Sequence, residues 1–353
     1  MLHKPRNQTA RIAIDAMSGD YGAGEVVKGL SLAFKTKLLA CGIDLVGDKG
    51  VLGDLLRLNG LDRGYDICIH HAPDVIAMTD RAAAIVSKKM NYSMMRALEL
   101  VKEGQSQIAI SCGNTGALVM GASLRIRTME GIRRPMIAAI VPHLSGHFVL
   151  ADAGANPESI AQELLINAVL ANEYCKIALG ISQPRVGLLT IGKEEGKGNG
   201  TTAEAHSLLG RISGDLNYIG LVEGFDVFSG HCDVIICDGF VGNILLKSWE
   251  SLVHMFGSLL RKQLHANPMR SAGALLASGA FRSLTKSLNP DEYNGAPLLG
   301  LNGNVLKAHG SSRKGGVKSA ILMANKILVQ NLRNRVEERV GHVLDEIETW
   351  DRS

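Results

Sequence analysis

Aromatic side chains are scarce, with seven Phe, six Tyr and two Trp in 353 residues. A nucleic-acid reader that stacks bases on rings is therefore not expected. Neither sign of charge dominates: 38 basic side chains face 34 acidic ones, for a net charge of +4. That balance does not point to nucleic acid. No apolar run approaches the roughly 20 residues that a membrane-spanning helix needs. Residues 1–10 are polar, and the apolar run after Arg11 is too short for a secretion signal. The six cysteines, at 41, 68, 112, 175, 232 and 237, form no C-x-x-C pair and no zinc-ligand spacing. Free thiols in a reducing cytoplasm are the expectation. The 40 glycines have no three-residue period, and charge is moderate, which excludes collagen-like and disordered chains. What remains is a globular composition, 46% hydrophobic and 20% charged, with ample material for a core.

Short β-branched or apolar runs alternate with helix-period stretches. Strands are expected at 12–16, 43–46, 67–69, 108–110, 137–141, 148–151, 186–190 and 234–237, and helices at 25–37, 93–103, 158–179 and 201–212. This spacing implies crossover connections. Runs that are apolar throughout imply a mainly parallel sheet with helices on both faces. The expected organisation is one catalytic α/β domain over 11–334 and a C-terminal helical tail over 335–353. The stretch 316–349 reads as one long helix or two consecutive ones, its acidic last part a solvated cap.

Several strands end in Gly-rich polar loops: D-A-M-S-G-D (15–20), S-C-G-N-T-G (111–116), D-A-G-A-N (152–156), G-K-E-E-G-K-G-N-G (192–200) and D-G-F-V-G-N (238–243). A sixth, K-A-H-G-S-S (307–312), lies late in the chain. Any one of them is most simply a tight turn. As a set they describe one large polar site, because ligands of open α/β sheets bind beyond the carboxyl ends of the strands. No G-x-G-x-x-G, Walker A or G-x-S-x-G motif occurs. His70 and His71 read as strand-end residues rather than metal ligands.

Lys197 stands among Gly192, Gly196, Gly198 and Gly200, just before a helix. Exposed backbone N–H groups, a helix N-terminus and an ammonium make an anion site. Asn114 or Thr115 is placed to cap a helix over 116–125, with the same consequence. His309, followed by Ser311 and Ser312, adds a titratable group and hydroxyls. These residues predict a phosphate-binding enzyme with no nucleotide cofactor and no metal. A helix N-terminus beside Cys112 would favour a thiolate nucleophile, but a small residue packed at a strand end is the favoured reading.

The segment 251–290 holds Arg261, Lys262, Arg270, Arg282 and Lys286 and no acidic residue. Leu252, Phe256, Leu260 and Leu264, then Leu276, Ala280, Leu284 and Leu288, recur at helical spacing, with Pro268 between the two pieces. This is a basic amphipathic helix pair of the kind that lies on acidic surfaces. A dimer-facing or core-facing hairpin is the alternative.

The six loops, in this order from residue 11 to about 330, resemble those of the bacterial phosphate acyltransferases of phospholipid synthesis. The resemblance implies an acyltransferase that moves a fatty acyl group from acyl carrier protein to inorganic phosphate. The acyl phosphate would serve a membrane-bound glycerol-3-phosphate acyltransferase. It also implies a homodimer with a fold similar to isocitrate and isopropylmalate dehydrogenases and to phosphotransacetylase. The expected location is cytoplasmic, with peripheral membrane contact. Two positions depart from the family pattern: Ser18 replaces Gly and Cys112 replaces Ala. Ser18 would narrow its loop if that position had φ > 0.

On this reading phosphate is held by Lys197, Gly198, Asn199 and Gly200, with Asn114, Thr115 and Ser311 nearby. Asn243 is a donor to phosphate or oxyanion, and His309 assists the leaving sulfur. Asp15 and Asp238 orient donors, and the basic helices contact carrier protein, acyl chain or membrane. The rivals are a dehydrogenase on the same fold, an acyl-CoA-using phosphate acyltransferase and a non-catalytic scaffold of lipid synthesis.

Overall fold

The computed structural model describes residues 10–80, 91–192, 194, 198–212 and 216–351. Within them eleven strands form one sheet. They are β1 (Arg11–Asp15), β2 (Gly42–Gly47), β3 (Ile67–His71), β4 (Ile108–Ser111), β5 (Met136–His143) and β6 (Gly146–Ala151). After these come β7 (Arg185–Thr190), β8 (Asn217–Glu223), β9 (Val234–Ile236), β10 (Ala296–Leu299) and β11 (Asn304–Lys307). The strand order is β3-β2-β1-β4-β11-β10-β5-β6-β9-β7-β8.

The helices are α1 (Gly22–Lys35), α2 (Lys49–Leu58), α3 (Ser93–Lys102), α4 (Thr115–Arg125), α5 (Ala161–Ala178) and α6 (Gly200–Arg211). The remainder are α7 (Gly239–Leu264), α8 (Pro268–Leu276), α9 (Ser278–Leu288), α10 (Lys314–Val329) and α11 (Leu332–Asp351). Alternate residues of β1 face opposite cores, as a strand requires. Ile12 and Ile14 join a cluster with Val26, Leu30, Leu165, Ile321 and Val336, from α1, α5, α10 and α11. Ala13 joins Met94, Leu98 and Leu118, from α3 and α4, on the other face.

The sheet has two parallel blocks. One is β3, β2, β1, β4 and β11, and the other is β6, β9, β7 and β8. Between them β10 runs antiparallel to β11 and β5, and β5 antiparallel to β6. The blocks therefore run in opposite directions. Register decides where their ends fall: Ala296 pairs with Lys307, Leu298 with Ile137, Ala139 with Leu150 and Leu150 with Ile235. Counting along these pairs brings Lys307, at the carboxyl end of β11, level with the carboxyl ends of β6 and β9. Loops from both blocks thus meet over the middle of the sheet.

The eight expected strands are present. Those missed have local causes. β10 and β11 are four residues each, and Pro297 lies within β10, where proline usually argues against a strand. β8 carries Gly220 at φ 94 beside a register shift. Two corrections concern helices. The 251–290 segment is not a helix pair: α7 runs unbroken from 239 to 264, and α8 and α9 follow it. Pro268 opens α8 at its first turn, capped by the Asn267 side chain, a position where its missing N–H costs nothing. The C-terminal helix is not simply a solvated cap, because Val336, Val340 and Val343 are buried in the core.

Candidate active site

Three of the six loops interlock through one carboxylate and one glycine. Asp15, buried at the end of β1, accepts hydrogen bonds from Ser93 Oγ (2.7 Å) and Ser111 Oγ (2.6 Å). Ser111 Oγ in turn accepts from the Gly113 N–H. Gly19 has φ +94, and a Cβ there would lie 2.9 Å from the Cys112 Cβ and 3.2 Å from the Gly310 carbonyl. The Asp20 N–H donates to that same carbonyl. The 15–20, 111–116 and 307–312 loops are therefore one packed unit. Ser18 does not occupy a left-handed conformation; that role belongs to Gly19. Burial pushes the Cys112 thiol up to about 12, so it is a packed side chain and not a thiolate.

The other block contributes the start of α7. Asp238 caps this helix by accepting from the Val241 N–H at 2.8 Å. Asp152 gathers the N–H groups of Ile137, Gly154, Ala155 and Asn156. Burial nonetheless holds its carboxyl above the usual range. A Cβ at Gly242 would lie 1.9 Å from the Asp152 carbonyl oxygen. Glycine at that position lets α7 lie directly on the 152–156 loop, which brings Asn243 to the meeting point.

Between the two units lies a cavity of about 470 Å³ lined by Asp20, Thr115, Asn243, Lys247, Glu250, Lys307, His309 and Ser311, with Ile137–Pro142 as its apolar wall. His309 is bracketed: Ser311 Oγ lies 2.8 Å from Nδ1, and Lys247 Nζ and Glu250 Oε2 lie 3.3 and 3.4 Å from Nε2. Lys247 also pairs with Glu250 at 2.7 Å. Burial raises the Glu250 carboxyl, but hydrogen bonds from His309 and Lys247 outweigh it and hold the group below its usual range. Asn294 holds the loop from behind, accepting from the His309 N–H and donating to Ser312 Oγ. The Asn243 side chain is exposed in the cavity and has no hydrogen-bond partner among the described residues.

Lys307, Lys247, Glu250 and Asn294 were not singled out from the sequence. Lys307 had a legible signal, a lysine closing an apolar strand at the head of K-A-H-G-S-S. Burial, reinforced by the charge of Lys247, pushes its ammonium down to about 8, against the opposing pull of Asp20 and Asp15. Its Nζ donates to the Ala308 carbonyl. Lys247 and Glu250 sit about two and three turns inside α7, outside any loop motif.

The expected single phosphate cluster is divided. Gly198 and Asn199 line a separate cavity of about 720 Å³ with Arg133, Arg134, Thr202 and Asp238. Gly200 opens α6. At 100° per residue, Asp238 and Val241 face one side of α7 while Asn243, Lys247 and Glu250 face the other, so the helix separates the cavities. Asn199 is occupied as the α6 cap, accepting from the Thr202 N–H and hydroxyl. Asn114 likewise caps α4 through the Ala117 N–H and donates to the Met78 and Asp80 carbonyls. Lys197 lies outside the described residues, as does the side chain of Lys286. Arg261, Lys262, Arg270 and Arg282 are exposed, away from both cavities. The described residues contain no group of three or more side chains that could hold a metal ion, and none of their helices is long and apolar enough to cross a membrane.

The architecture is an α/β fold shared with the phosphotransacetylases. It matches a phosphotransacetylase from Streptococcus pyogenes with a TM-score of 0.60 at 20% identity, over 91% of this chain and 94% of that one. A 4-hydroxythreonine-4-phosphate dehydrogenase from Salmonella typhimurium shares the fold, with a TM-score of 0.51 at 13% identity over 91% and 100% of the two chains. The model of the fatty acid synthesis protein family matches residues 10–335, and the chain belongs to that family. Phosphate acyltransferases of Trichlorobacter lovleyi and Heliobacterium modesticaldum are 39% and 41% identical to it. Each match covers 94% of this chain, and 94% and 97% of the relatives. The protein is thus an acyltransferase.

Proposed function

We propose that the enzyme transfers a fatty acyl group from acyl carrier protein to inorganic phosphate. The observation that carries this reading is the cavity where Lys247, Lys307 and His309 face Thr115 and Asn243, in a chain whose relatives are phosphate acyltransferases. Two ammonium groups suit a dianion, and phosphate is a competent nucleophile toward a thioester. A phosphate oxygen attacks the carbonyl carbon, a C–O bond forms, the C–S bond breaks, and the thiolate leaves. No covalent acyl-enzyme is needed.

In this assignment Lys307 and Lys247 hold phosphate, with Thr115 and Ser311 beside it. The Asn243 amide donates to the oxyanion, and one such donor contributes about 2.7–4 kcal/mol in a well-studied hydrolase. His309, polarised by Glu250, delivers a proton to sulfur. Asp15 and Asp238 position loops rather than react. The Gly198–Gly200 turn serves the neighbouring cavity. The exposed Arg261, Lys262, Arg270 and Arg282 suit an acidic carrier protein. The proposal extends to a homodimer in the cytoplasm, peripheral at the membrane, whose acyl phosphate passes to a membrane-bound glycerol-3-phosphate acyltransferase.

The test is phosphate-dependent release of carrier thiol from palmitoyl-acyl carrier protein, with palmitoyl-CoA in parallel. Release from the carrier donor, absent without phosphate, supports the reading. Release from palmitoyl-CoA alone moves the donor to the rival enzyme. No release from either, by folded protein, leaves a scaffold.

A further inference from the structure

In the second strand block, neighbouring strands send their helices to opposite faces of the sheet. α5 and α6 follow β6 and β7 and pack on one face, where Leu165, Ala205 and Leu209 share a core with Val186 and Leu188. α7 follows β9, which lies between β6 and β7. It packs on the other face, with Leu245 and Trp249 against the cluster of Phe148 and Ile235. Such a reversal opens a crevice at the carboxyl ends of the strands, and open α/β sheets bind ligands there. β4 stands in the same relation to β1 and β11 in the first block. There α1 and α10 pack on one face and α4 on the other, and the active-site loops lie at that reversal.

The two sides of β9 differ. Toward β6 the crevice is filled by α7 itself: a Cβ on Gly239 would lie 2.5 Å from the Asn156 carbonyl oxygen, and one on Gly242 1.9 Å from that of Asp152. Toward β7 it is open, and it forms the cavity of about 720 Å³, inside the roughly 300–1,000 Å³ of small-ligand sites. No reacting group of the acyl transfer lines it.

The polar groups of this cavity are unevenly committed. Glu163 accepts from the Ile160 N–H and lies 3.8 Å from Arg133, and Asp238 accepts from the Val241 N–H. Arg134 forms no ion pair among the described residues, and Glu158 is the carboxylate left over; both are exposed. At the start of α6 the Thr202 N–H goes to Asn199, while the Thr201 N–H has no acceptor within the helix. The floor is apolar, formed by the buried Leu164, Leu188 and Cys237. A free guanidinium is suited to bidentate contact with phosphate. A free carboxylate repels a second anion and accepts from hydroxyl groups. An apolar floor covers an uncharged body. Inorganic phosphate would leave most of this volume to water, and an aliphatic chain would give Arg134 and Glu158 nothing to bond.

We propose that the crevice between β7 and β9 is a second ligand site, for an organic phosphate with a hydroxylated body. Its phosphate lies at Arg134 and the start of α6, and its hydroxyl groups at Glu158. A nucleoside monophosphate and a sugar phosphate share this chemistry. The site does not depend on the acyl-transfer reading, because binding is measured without an acyl donor.

The experiment is calorimetry on the full-length protein with adenosine 5′-monophosphate, ribose 5-phosphate and inorganic phosphate. Arg134→Glu reverses the guanidinium. Thr201→Asp puts a carboxylate in the first turn of α6, where the helix favours it and a phosphate is repelled. Lys307→Met alters the active-site cavity alone. At least one organic phosphate should bind, one per chain. Either crevice variant should weaken it about tenfold or more, the worth of a hydrogen bond to a charged group, and Lys307→Met should change it by less than about twofold. Urea midpoints of both crevice variants should match the wild type, since neither side chain is buried. Tighter binding of the nucleotide would support a nucleoside monophosphate as the occupant, and equal binding of the two would support a sugar phosphate.

No binding of either organic phosphate at millimolar concentration would overturn the site. So would binding lost in Lys307→Met and kept in both crevice variants, which would move the ligand to the active-site cavity. Inorganic phosphate binding to Lys307→Met as tightly as the organic phosphates would overturn the part assigned to the body.

Discussion

Lys307 is the residue whose chemistry owes most to its surroundings. Its ammonium is pushed from the ordinary 10.5 down to about 8 by burial, and this has two consequences of opposite sign. For stability, between about pH 8 and 10.5 the unfolded chain holds a proton that the folded chain has released, so stability rises with pH across that window. Lys307→Met should flatten the rise in urea titrations at pH 7.5, 9 and 10. For activity, a phosphate-holding lysine is needed in its charged form. The kcat/KM for phosphate should therefore fall above about pH 8, and Lys307→Met should raise KM for phosphate at least tenfold and erase that limb. A wild-type profile flat from pH 7 to 9.5 would remove Lys307 from phosphate binding. Asn243→Ala should cost about 10²–10³ in kcat, as loss of an oxyanion donor does, with KM little changed. Near-normal turnover would reassign the amide to structure.

At the scale of elements, the active site depends on where α7 begins. Its first turn lies against the Asp152 carbonyl because Gly242 has no side chain. Gly242→Ala should force the helix outward, destabilise the protein by about 1–3 kcal/mol in chemical unfolding, and lower kcat by displacing Asn243. Gly257, where a Cβ meets nothing within 4 Å, is the control: Gly257→Ala should be neutral or stabilise by up to about 1 kcal/mol, the difference between the two residues within a helix. Equal effects at both positions would show that close packing is not what places α7. Much of this was legible. The D-G-F-V-G-N loop announced a strand-to-helix turn, and Asp238 and Asn114 are caps of the kind their side chains favour. Lys247 and Glu250 were not legible, because on a helix their meaning depends on which face turns toward His309, and only packing sets that.

For the whole molecule, the projecting helices carry charge that the body does not neutralise. The double reversal Arg261→Glu and Lys262→Glu should raise KM for an acidic carrier-protein donor several-fold and flatten its dependence on salt, since exposed charges act over about a Debye length. Unchanged KM at low ionic strength would mean that the carrier docks elsewhere. The described residues run as one sheet through both strand blocks, so the cavity has a wall from each. A change in one block, such as at Asn243, should therefore alter how phosphate titrates against the other block's Lys307.

Periodicity and turn chemistry in the sequence alone determined the alternation of strands and helices, the parallel character of the sheet and the six polar loops. These are local properties, set by hydrophobic spacing of 2 or 3.6 residues and by glycine at strand ends. Tertiary structure decided which loops meet. Two antiparallel strands, β10 and β5, reverse one block against the other and align their carboxyl ends through long-range register. The axial rotation of α7 then turns Asp238 and Asn243 toward different cavities. Neither register between distant strands nor the facing of a helix is encoded within a window of neighbouring residues. Both follow from burying the two faces of the sheet at once, which only the folded chain does.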